Sequence, residues 1–240
     1  MQSFTVSNFL SGLIDISSIF NQPCALCGNG QAQQGFCAPC HRDLPRLAPP
    51  FCSRCALPLP EAGVCGRCLR HPPIFDALHV PYVYRYPISS LIHAFKYGRR
   101  LELAGILGHL LANGTPPIDQ KYDIVIAVPL SKERLAERGF NQSLELARSV
   151  VGIIPHRFLP GLCWRKCNTH SQAGLSPRQR RRNVRHAFCV ETRLDGLSVA
   201  VVDDVVTTGS TLDSLASELK KWGAKRVDAW ALCRTLRPKT

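Results

Sequence analysis

The feature that most constrains this sequence is a duplicated set of cysteines in its first third. Eight of its 12 cysteines form four Cys-x-x-Cys pairs, and the spacing C-x2-C-x9-C-x2-C occurs twice. The pairs are Cys24 and Cys27, Cys37 and Cys40, Cys52 and Cys55, and Cys65 and Cys68. A repeat of this kind indicates a duplicated structural unit.

These pairs have the spacing of metal ligands. Two sulfurs on one tight turn can occupy adjacent corners of a tetrahedron, and a second pair completes a four-coordinate zinc site. A disulfide framework is the alternative, but it needs an oxidising compartment, and the first residues lack the basic region of a secretory signal. Sequential pairing of the cysteines fits the repeat best, while crossed pairing or the loss of one site stays open.

The sequence therefore predicts a double zinc-ribbon domain over residues 21–71, after an N-terminal extension of residues 1–20. This stretch is short of long apolar runs and rich in Pro, Gly and Cys, so the metal would supply most of its folding free energy, about 10 kcal/mol or more per site. A purely structural role and direct contact with nucleic acid through its arginines are both open. The sequence His71-Pro72-Pro73 predicts a hinge to the next domain.

Charge and hydropathy limit the class of protein further. A formal net charge of +13 favours anionic partners such as nucleic acid, nucleotides or polyphosphates. No window has the 18 or so continuous apolar residues that a membrane helix needs, so we expect no membrane span. Without an export signal, we expect a cytoplasmic protein.

From residue 75 onward the pattern alternates between strands and helices. Strands are predicted at residues 78–84, 122–128, 198–202 and 227–233. Helices are predicted at residues 88–96, 101–112, 141–151 and 211–222. The run YDIVIAV is typical of a strand buried on both faces of a parallel sheet. The alternation predicts an α/β domain over residues 75–240 with a doubly wound, mostly parallel sheet.

The sharpest motif is VVDDVVTTGST, residues 201–211, at the predicted end of a strand. In sheets of this kind, ligands bind beyond the carboxyl ends of the strands. Gly209 would let the backbone approach a phosphate, which the amides and hydroxyls at the start of the following helix can bind. The adjacent carboxylates can accept hydrogen bonds from a vicinal diol and help to hold Mg²⁺. A sugar phosphate fits both halves of the motif.

This segment resembles the 5-phosphoribosyl-1-pyrophosphate (PRPP) motif of type I phosphoribosyltransferases. Together with FKYGRR (residues 95–100), VPLSKERLAERGFNQS (residues 128–143) and the cysteine repeat, it is similar to the ComF family of competence proteins and their GntX-like relatives. The similarity covers nearly the whole chain from Cys24 to Arg234. It implies a type I phosphoribosyltransferase fold behind a double zinc ribbon.

The resemblance also implies roles for particular residues. Asp203 and Asp204 would be the catalytic acids and would hold the ribose hydroxyls of PRPP, directly or through Mg²⁺. The 5-phosphate would bind to Thr207, Thr208, Gly209, Ser210 and Thr211. The pyrophosphate loop would be Leu130, Ser131 and Lys132, helped by Arg134 and Arg138, with Lys96 as a further cation facing the diphosphate.

A strongly basic segment, residues 165–183, reads RKCNTHSQAGLSPRQRRRN and lacks apolar periodicity. This composition predicts a mobile loop. The resemblance implies that the loop closes over PRPP, and its arginines could instead contact a nucleic-acid backbone. The candidate nucleic-acid-binding residues are Arg165, Lys166, Arg178, Arg180, Arg181, Arg182, Arg134 and Arg138. Tyr82, Tyr84 and Tyr97 are candidate stacking surfaces for bases, with packing in the core as the alternative.

Three functions are consistent with these features. The preferred hypothesis, implied by the resemblance, is a PRPP-binding protein that handles single-stranded DNA during natural transformation, beside other DNA-uptake machinery such as a helicase. The second is an active phosphoribosyltransferase acting on a nitrogen base, although Thr207 stands where hypoxanthine-guanine enzymes have a further acid. The third is a zinc-ribbon regulator that binds duplex DNA and senses PRPP.

Overall fold

The computed structural model describes residues 23–30, 32–114, 122–154, 156–165 and 187–236. The chain divides into two compact units, Met1–Asp43 and Leu44–Thr240. The first unit holds one cysteine group and the short helix α1 (Ala38–Arg42). The second unit holds the other cysteine group and the sheet. A single ribbon domain over residues 21–71 stays a prediction.

A five-stranded parallel sheet forms the centre of the second unit. Its strands are β1 (Ala77–His79), β2 (Tyr82–Val83), β3 (Ile124–Ala127), β6 (Ser198–Val206) and β7 (Arg226–Arg234). The order is β1-β7-β6-β3, and β2 pairs with β7 beyond the end of β1. Two further strands, β4 (Cys163–Arg165) and β5 (Phe188–Val190), form a separate antiparallel pair.

The helices of the second unit are α2 (Gly66–Arg70), α3 (Ile88–Tyr97), α4 (Leu103–Ala112), α5 (Lys132–Arg138), α6 (Gln142–Ile153) and α7 (Ser210–Lys221). Of these, α4, α6 and α7 pack against the strands of the sheet and cover both of its faces. Leu212 and Leu215 of α7 share a buried cluster with Val199 and Val201 of β6. Because successive strand residues point to opposite faces, α4 and α6, which also contact the sheet, cover the other face. Across the described ranges, no helix combines the length and apolar character needed to cross a bilayer.

The predicted fold class is confirmed: the sheet is parallel, helices cover both of its faces, and cysteine groups precede it. Local differences have identifiable causes. The strand predicted at residues 78–84 is divided into β1 and β2 around Pro81, which has no N–H to donate to a ladder. Helix α5 was predicted as loop; the side chain of Ser131 caps its start, and Gly139 ends it with φ +80°.

The strand that contains Asp203 and Asp204 is longer than predicted. It was expected to end at residue 202, but β6 continues to Val206, and Val205 and Val206 lie opposite Cys233 and Arg234 of β7. The two carboxylates therefore belong to the last part of a strand, not to a loop. Acidic residues are unfavourable in strands by propensity, and the long parallel pairing with β7 overrides that preference here.

The second cysteine group is part of the core of its unit. Ala56, which directly follows one of its cysteines, is fully buried and shares the main hydrophobic cluster with Leu47 and Phe75. The backbone of Leu47 also bonds to Pro81, and that of Val83 to Pro45. Residues of the cysteine-rich segment thus supply apolar contacts to the sheet domain as well as metal ligands.

Candidate functional site

The eight paired cysteines come together in two groups of four. The first cysteine group is Cys24, Cys27, Cys37 and Cys40, and the second is Cys52, Cys55, Cys65 and Cys68; within each, the sulfurs lie within 4.8 Å of one another. The Sγ atoms of Cys27 and Cys37 are 3.8 Å apart, and those of Cys55 and Cys65 are 3.7 Å apart. Tetrahedral zinc with bonds of about 2.3 Å separates its sulfurs by about 3.8 Å. Sequential pairs therefore share one site, the arrangement that fits the repeat best.

Backbone amides lower the pKa of one cysteine in each group, whereas a hydrogen bond with the Cys37 thiol raises the pKa of Cys40 and burial raises that of Cys68. Burial raises the pKa of Cys52, but amide groups, including the N–H of Cys65 at 3.3 Å, outweigh it and lower the pKa to about 6. Burial also raises the pKa of Cys24. The backbone amides of Cys27, Cys37 and Leu26 outweigh this effect and lower the pKa to about 6. Thiolate is the form that binds zinc, so both groups fit structural zinc.

Asp203 and Asp204 are held by different partners. Asp203 Oδ1 accepts hydrogen bonds from Ser143 Oγ and from the amide of Asp204, both at 2.9 Å. Asp204 Oδ2 lies 2.6 Å from Lys96 Nζ, and its Oδ1 accepts from the amide of Val205 at 2.6 Å. Asp204 is buried and Asp203 is half-buried. Of the pair, Asp203 is the one more open to a ligand.

The electrostatics of the pair favour one proton on Asp203. Burial raises its pKa, and the negative charge of Asp204 raises it further, to about 7, although Ser143, the amide of Asp204 and Lys96 act in the opposite direction. Both effects favour the protonated form of this carboxyl group more than in an ordinary aspartate. A bound cation would deprotonate it, because the cation stabilises the carboxylate.

The turn after β6 combines a left-handed glycine with hydroxyl groups at the start of a helix. Gly209 precedes α7 with φ +82°, a left-handed conformation that favours glycine. Thr208 Oγ1 lies 2.9 Å from Ser210 Oγ, and the amide of Ser210 points at Thr208 Oγ1 at 3.4 Å. We call residues 207–211 the phosphate turn. Asp203, Val206 and the phosphate turn line one small concave pocket of about 30 Å³.

The chain after β3 leaves the sheet at the same edge as the two aspartates. Ala127 lies opposite Val202, and the amide of Val128 donates to the Val202 carbonyl at 2.9 Å. Leu130 and Ser131 follow, half-buried, and Lys132 is exposed at the start of α5. The sequence prediction that these residues approach the aspartates is consistent with this direction, and their role in binding diphosphate stays a prediction.

Sequence reasoning missed two residues that build the site. Asn141 Nδ2 donates to the Val128 carbonyl at 3.0 Å, while its Oδ1 accepts from the amides of Ser143 and Leu144 at the start of α6. This cap fixes α6 against β3 and brings the Ser143 hydroxyl to Asp203. The signal was present, because Asn-x-Ser before an apolar periodic run is typical of a capped helix start.

The candidate cations lie in three different environments. Lys96 is paired with Asp204, and its expected contact with a diphosphate stays a prediction. Arg138 donates to Gln142 Oε1 at 2.8 Å and stacks over the ring of Tyr97, 5.2 Å from its centroid. Burial lowers the pKa of Arg165, and the nearby positive charge of Arg134 lowers it further. Lys166, Arg178, Arg180, Arg181 and Arg182 lie outside the described residues.

The three candidate stacking tyrosines differ in exposure. Tyr97 is 55% exposed at the end of α3, and its ring lies 4.9 Å from that of His93. Tyr84 is half-buried. Tyr82 is only 1% exposed because its ring packs in the core of the unit. Tyr82 is therefore wrong as a base-stacking surface, and the alternative of core packing holds for it.

Comparisons with known proteins agree with this architecture. The sequence matches the double zinc ribbon domain family over residues 16–69. DNA utilization protein YhgH of Escherichia coli O6:H1 is 39% identical over 209 residues, which are 84% of this chain and 91% of that protein. Competence protein F of Haemophilus influenzae is 31% identical over 228 residues, 90% of this chain and 99% of that protein. Competence protein ComFC of Bacillus subtilis is 24% identical over 207 residues, 83% and 84% of the two chains.

Solved structures are more distant. The allosteric regulatory enzyme of purine biosynthesis is 20% identical, with a TM-score of 0.40 over 58% of this chain and 29% of that chain. This TM-score is too low to support an inference. The relatives with high identity cover almost the full length of both chains, and they carry the names of competence and DNA-utilization proteins. The chain therefore belongs to the ComF family, with a double zinc ribbon at its N-terminal side.

Proposed function

We propose that this protein binds PRPP with Mg²⁺ at Asp203, Asp204 and the phosphate turn, and that it handles single-stranded DNA during natural transformation. The single observation that carries the PRPP site is the pocket shared by Asp203 and the phosphate turn. In it, the carboxylate would hold the ribose hydroxyls while the turn binds the 5-phosphate.

The order of the groups along the edge of the sheet supports this ligand. The phosphate turn, the aspartates and the loop after β3 would meet the 5-phosphate, the ribose and the diphosphate of PRPP in that order. Mg²⁺, when bound, would neutralise the diphosphate. Its oxygen ligands would come from the ligand and from Asp203, which Ser143 orients through the 2.9 Å hydrogen bond.

The DNA role is supported by the relatives and by charge. Proteins named competence protein F and DNA utilization protein YhgH align over nearly the full chain. The net charge of +13 favours a polyanion, and Arg134 and Arg165 place two positive charges near one another. Exposed Tyr97, backed by Arg138, offers an aromatic surface on which a base can stack.

Calorimetric titration with PRPP and Mg²⁺ tests the first half of the proposal. We expect the Asp203→Asn, Asp204→Asn double variant to bind PRPP at least tenfold more weakly than the wild type. Asp195→Asn, which changes an exposed acid paired with Arg193, is the matched control and should bind as the wild type does. Equal affinity in all three proteins would rule out the site.

Titration of a labelled single-stranded oligonucleotide, with and without PRPP, tests the second half. We expect binding to the single strand to exceed binding to a duplex of the same sequence. A preference for the duplex would instead favour the zinc-ribbon regulator. A change in DNA affinity on adding PRPP would show that the two ligands are coupled.

The position of Asp203 favours one alternative, an active phosphoribosyltransferase. Its half-buried carboxylate, which Ser143 orients, can accept a proton from an attacking amine. Incubation with PRPP, Mg²⁺ and a panel of nitrogen bases, followed for pyrophosphate release, tests this activity. Release no faster than that of the double variant would exclude it for those bases.

A further inference from the structure

The second cysteine group is an immediate neighbour of the phosphate turn. Cys55 and Cys68 line one small cavity, of about 20 Å³, together with Thr208 and Gly209 of the turn. All of these residues belong to the same compact unit. Ligands of the metal site and residues of the proposed anion-binding turn therefore line the same cavity. Any change in the metal ligands changes the surroundings of the turn.

One hydrogen bond connects them directly. Arg67 lies on α2 between the ligands Cys65 and Cys68, and its Nη2 donates to the Thr208 carbonyl at 3.0 Å. Helix α2 has five residues, which is too short to hold its conformation in water on its own. The position of the Arg67 guanidinium therefore depends on Cys65, the N-cap of the helix, and on Cys68, within the helix, and hence on their metal.

A second arginine stands between the group and the strand before the turn. Arg234 is 2% exposed, lines the same cavity as Cys55 and Cys68, and lies opposite Val206 in the register of β6 and β7. Zinc bound by four thiolates carries a net charge of −2, so this buried cation is compensated when the metal is present. The amide of Thr235 also donates to the Val206 carbonyl at 3.0 Å.

The linker after the second group is tied to the helix that follows the turn. The amide of Ile74 donates to Asp213 Oδ1, in the first turn of α7, at 2.8 Å. The ring of Phe75 lies against Gly209, where an added Cβ would be 3.5 Å from its Cε1 atom. The cysteine group and its linker thus contact the turn at three points: the Thr208 carbonyl, Gly209 and the first turn of α7.

We propose that Arg67 is a positioning residue through which zinc in the second cysteine group and PRPP at the phosphate turn strengthen each other's binding. This inference rests on the proposed PRPP site. With zinc bound, Arg67 holds the Thr208 carbonyl away from the ligand and leaves the amides of the turn directed at the phosphate. Without zinc, Cys65 and Cys68 no longer hold α2 in place, and the turn loses this restraint. By linkage, the coupling is reciprocal, so bound PRPP also retains the metal.

The test compares Arg67→Gln with Arg54→Gln in the zinc-loaded full chain. Arg54 is the matched control because it lies between Cys52 and Cys55 of the same group, and it is exposed. Calorimetry with PRPP and Mg²⁺ should give about tenfold weaker binding for Arg67→Gln and unchanged binding for Arg54→Gln. Arg67→Lys, a second variant in case Arg67→Gln does not fold, should show an intermediate loss because its ammonium is more compact.

A zinc-release measurement gives a readout that is independent of any activity. Release to a chromogenic chelator from the second group of the wild type should slow about tenfold when PRPP saturates the protein. The same protection is expected in Arg54→Gln and should be absent in Arg67→Gln. The first cysteine group, in the other compact unit, should release its metal at a rate that PRPP does not change.

The outcomes separate this inference from the proposed function. If the wild type takes up no PRPP, both the proposed function and the coupling are wrong. If PRPP binds the wild type and Arg67→Gln with equal affinity, or protects zinc equally in both, only the coupling is wrong. Loss of affinity and protection in Arg67→Gln alone supports it.

Discussion

Lys96 Nζ lies 2.6 Å from Asp204 Oδ2, and the two side chains are only 17% and 11% exposed. This ion pair joins the end of α3 to the end of β6. It neutralises one of the two adjacent carboxylates, whereas the other, Asp203, accepts a hydrogen bond from Ser143 and has a pKa that burial raises. The site therefore holds one compensated acid and one acid that is available to a ligand or a cation.

Replacing Lys96 with methionine should destabilise the protein, because it leaves the buried Asp204 carboxylate without its counterion. Removing one partner of a buried pair costs about 3 kcal/mol, and partial exposure makes about 2 kcal/mol the better expectation. For a domain of this size, that lowers the midpoint of thermal unfolding by roughly 4–8 °C.

The control for Lys96→Met is the double variant Lys96→Met, Asp204→Asn. Because it removes the uncompensated charge, it should recover most of the lost stability in a double-mutant cycle. A single variant as stable as the wild type would show that the pair contributes nothing.

Asp203 should make stability depend on pH in a direction opposite to that of an ordinary salt-bridged acid. Its pKa is raised to about 7 in the folded protein, so the folded state binds a proton that the unfolded state releases. Its contribution to stability is therefore full below pH 4 and declines as the pH rises from about 4 to 7.

Asp203→Asn removes this titration while keeping an oxygen that can accept from Ser143. We expect the variant to unfold at a higher temperature than the wild type at pH 8, by about 2–4 °C per kcal/mol gained, and the difference to shrink at pH 5. Thermal unfolding followed by circular dichroism at the two pH values measures this. A difference that grows as the pH falls would contradict the raised pKa.

Gly209→Ala should weaken phosphate binding and lower stability together. The φ of +82° is strained for alanine by about 1–2 kcal/mol, whereas the space near Phe75 tolerates a methyl group at ordinary contact distance. The backbone would relax out of the left-handed region and redirect the turn amides. We expect PRPP affinity to fall about tenfold in calorimetry.

Gly152→Ala is the matched control for this substitution. Gly152 lies near the end of α6 with nothing within 4 Å of an added Cβ, and no left-handed φ restricts it. Alanine should stabilise the helix by about 0.5–1 kcal/mol and leave PRPP affinity unchanged. An equal loss of affinity in both variants would mean that the effect is not specific to the turn.

The two cysteine groups should release zinc at different rates. Cys27 is exposed in the first group, whereas all four cysteines of the second group are buried and Ala56 beside them is in the core. A chelator should therefore remove zinc in two phases of about equal amplitude. Cys27→Ser should abolish the fast phase and leave the slow one, and a single phase in the wild type would contradict the difference in access.

Much of this site could be predicted from local sequence. The metal sites could be predicted from the spacing of the cysteine pairs alone, because the geometry of each pair of ligands is set within a few residues. The phosphate turn also follows from adjacent residues, since Gly209 and the hydroxyls beside it act through their own backbone. The alternation of strands and helices from residue 122 onward predicts the parallel sheet for the same reason, because buried β-branched runs are local signals.

Contacts made across the fold could not be predicted in this way. Ser143 is 60 residues from Asp203 and Lys96 is farther still from Asp204, and nothing in either segment indicates its partner. The extension of β6 to Val206 depends on pairing with β7, and the link from Arg67 to Thr208 spans 141 residues. These are the contacts that decide the charge of the acids and the shape of the turn.

Arg134 and Arg165 should supply part of the electrostatic contact with single-stranded DNA. Burial lowers the pKa of Arg165 and the positive charge of Arg134 lowers it further, so phosphates bound beside them would relieve this repulsion. Each phosphate contact to a single strand changes the slope of log affinity against log salt by about 0.7. The double variant Arg134→Gln, Arg165→Gln should therefore flatten the slope by about 1.4.

Arg193→Gln is the control for the DNA measurement, because Arg193 is an exposed cation already paired with Asp195. It removes one positive charge, as each substitution in the double variant does, but at a place where no phosphate contact is proposed. If affinity depended on net charge alone, this variant would flatten the slope by about half as much as the double variant. If phosphates bind at Arg134 and Arg165, its slope should equal that of the wild type, and only the double variant should lose affinity at every salt concentration.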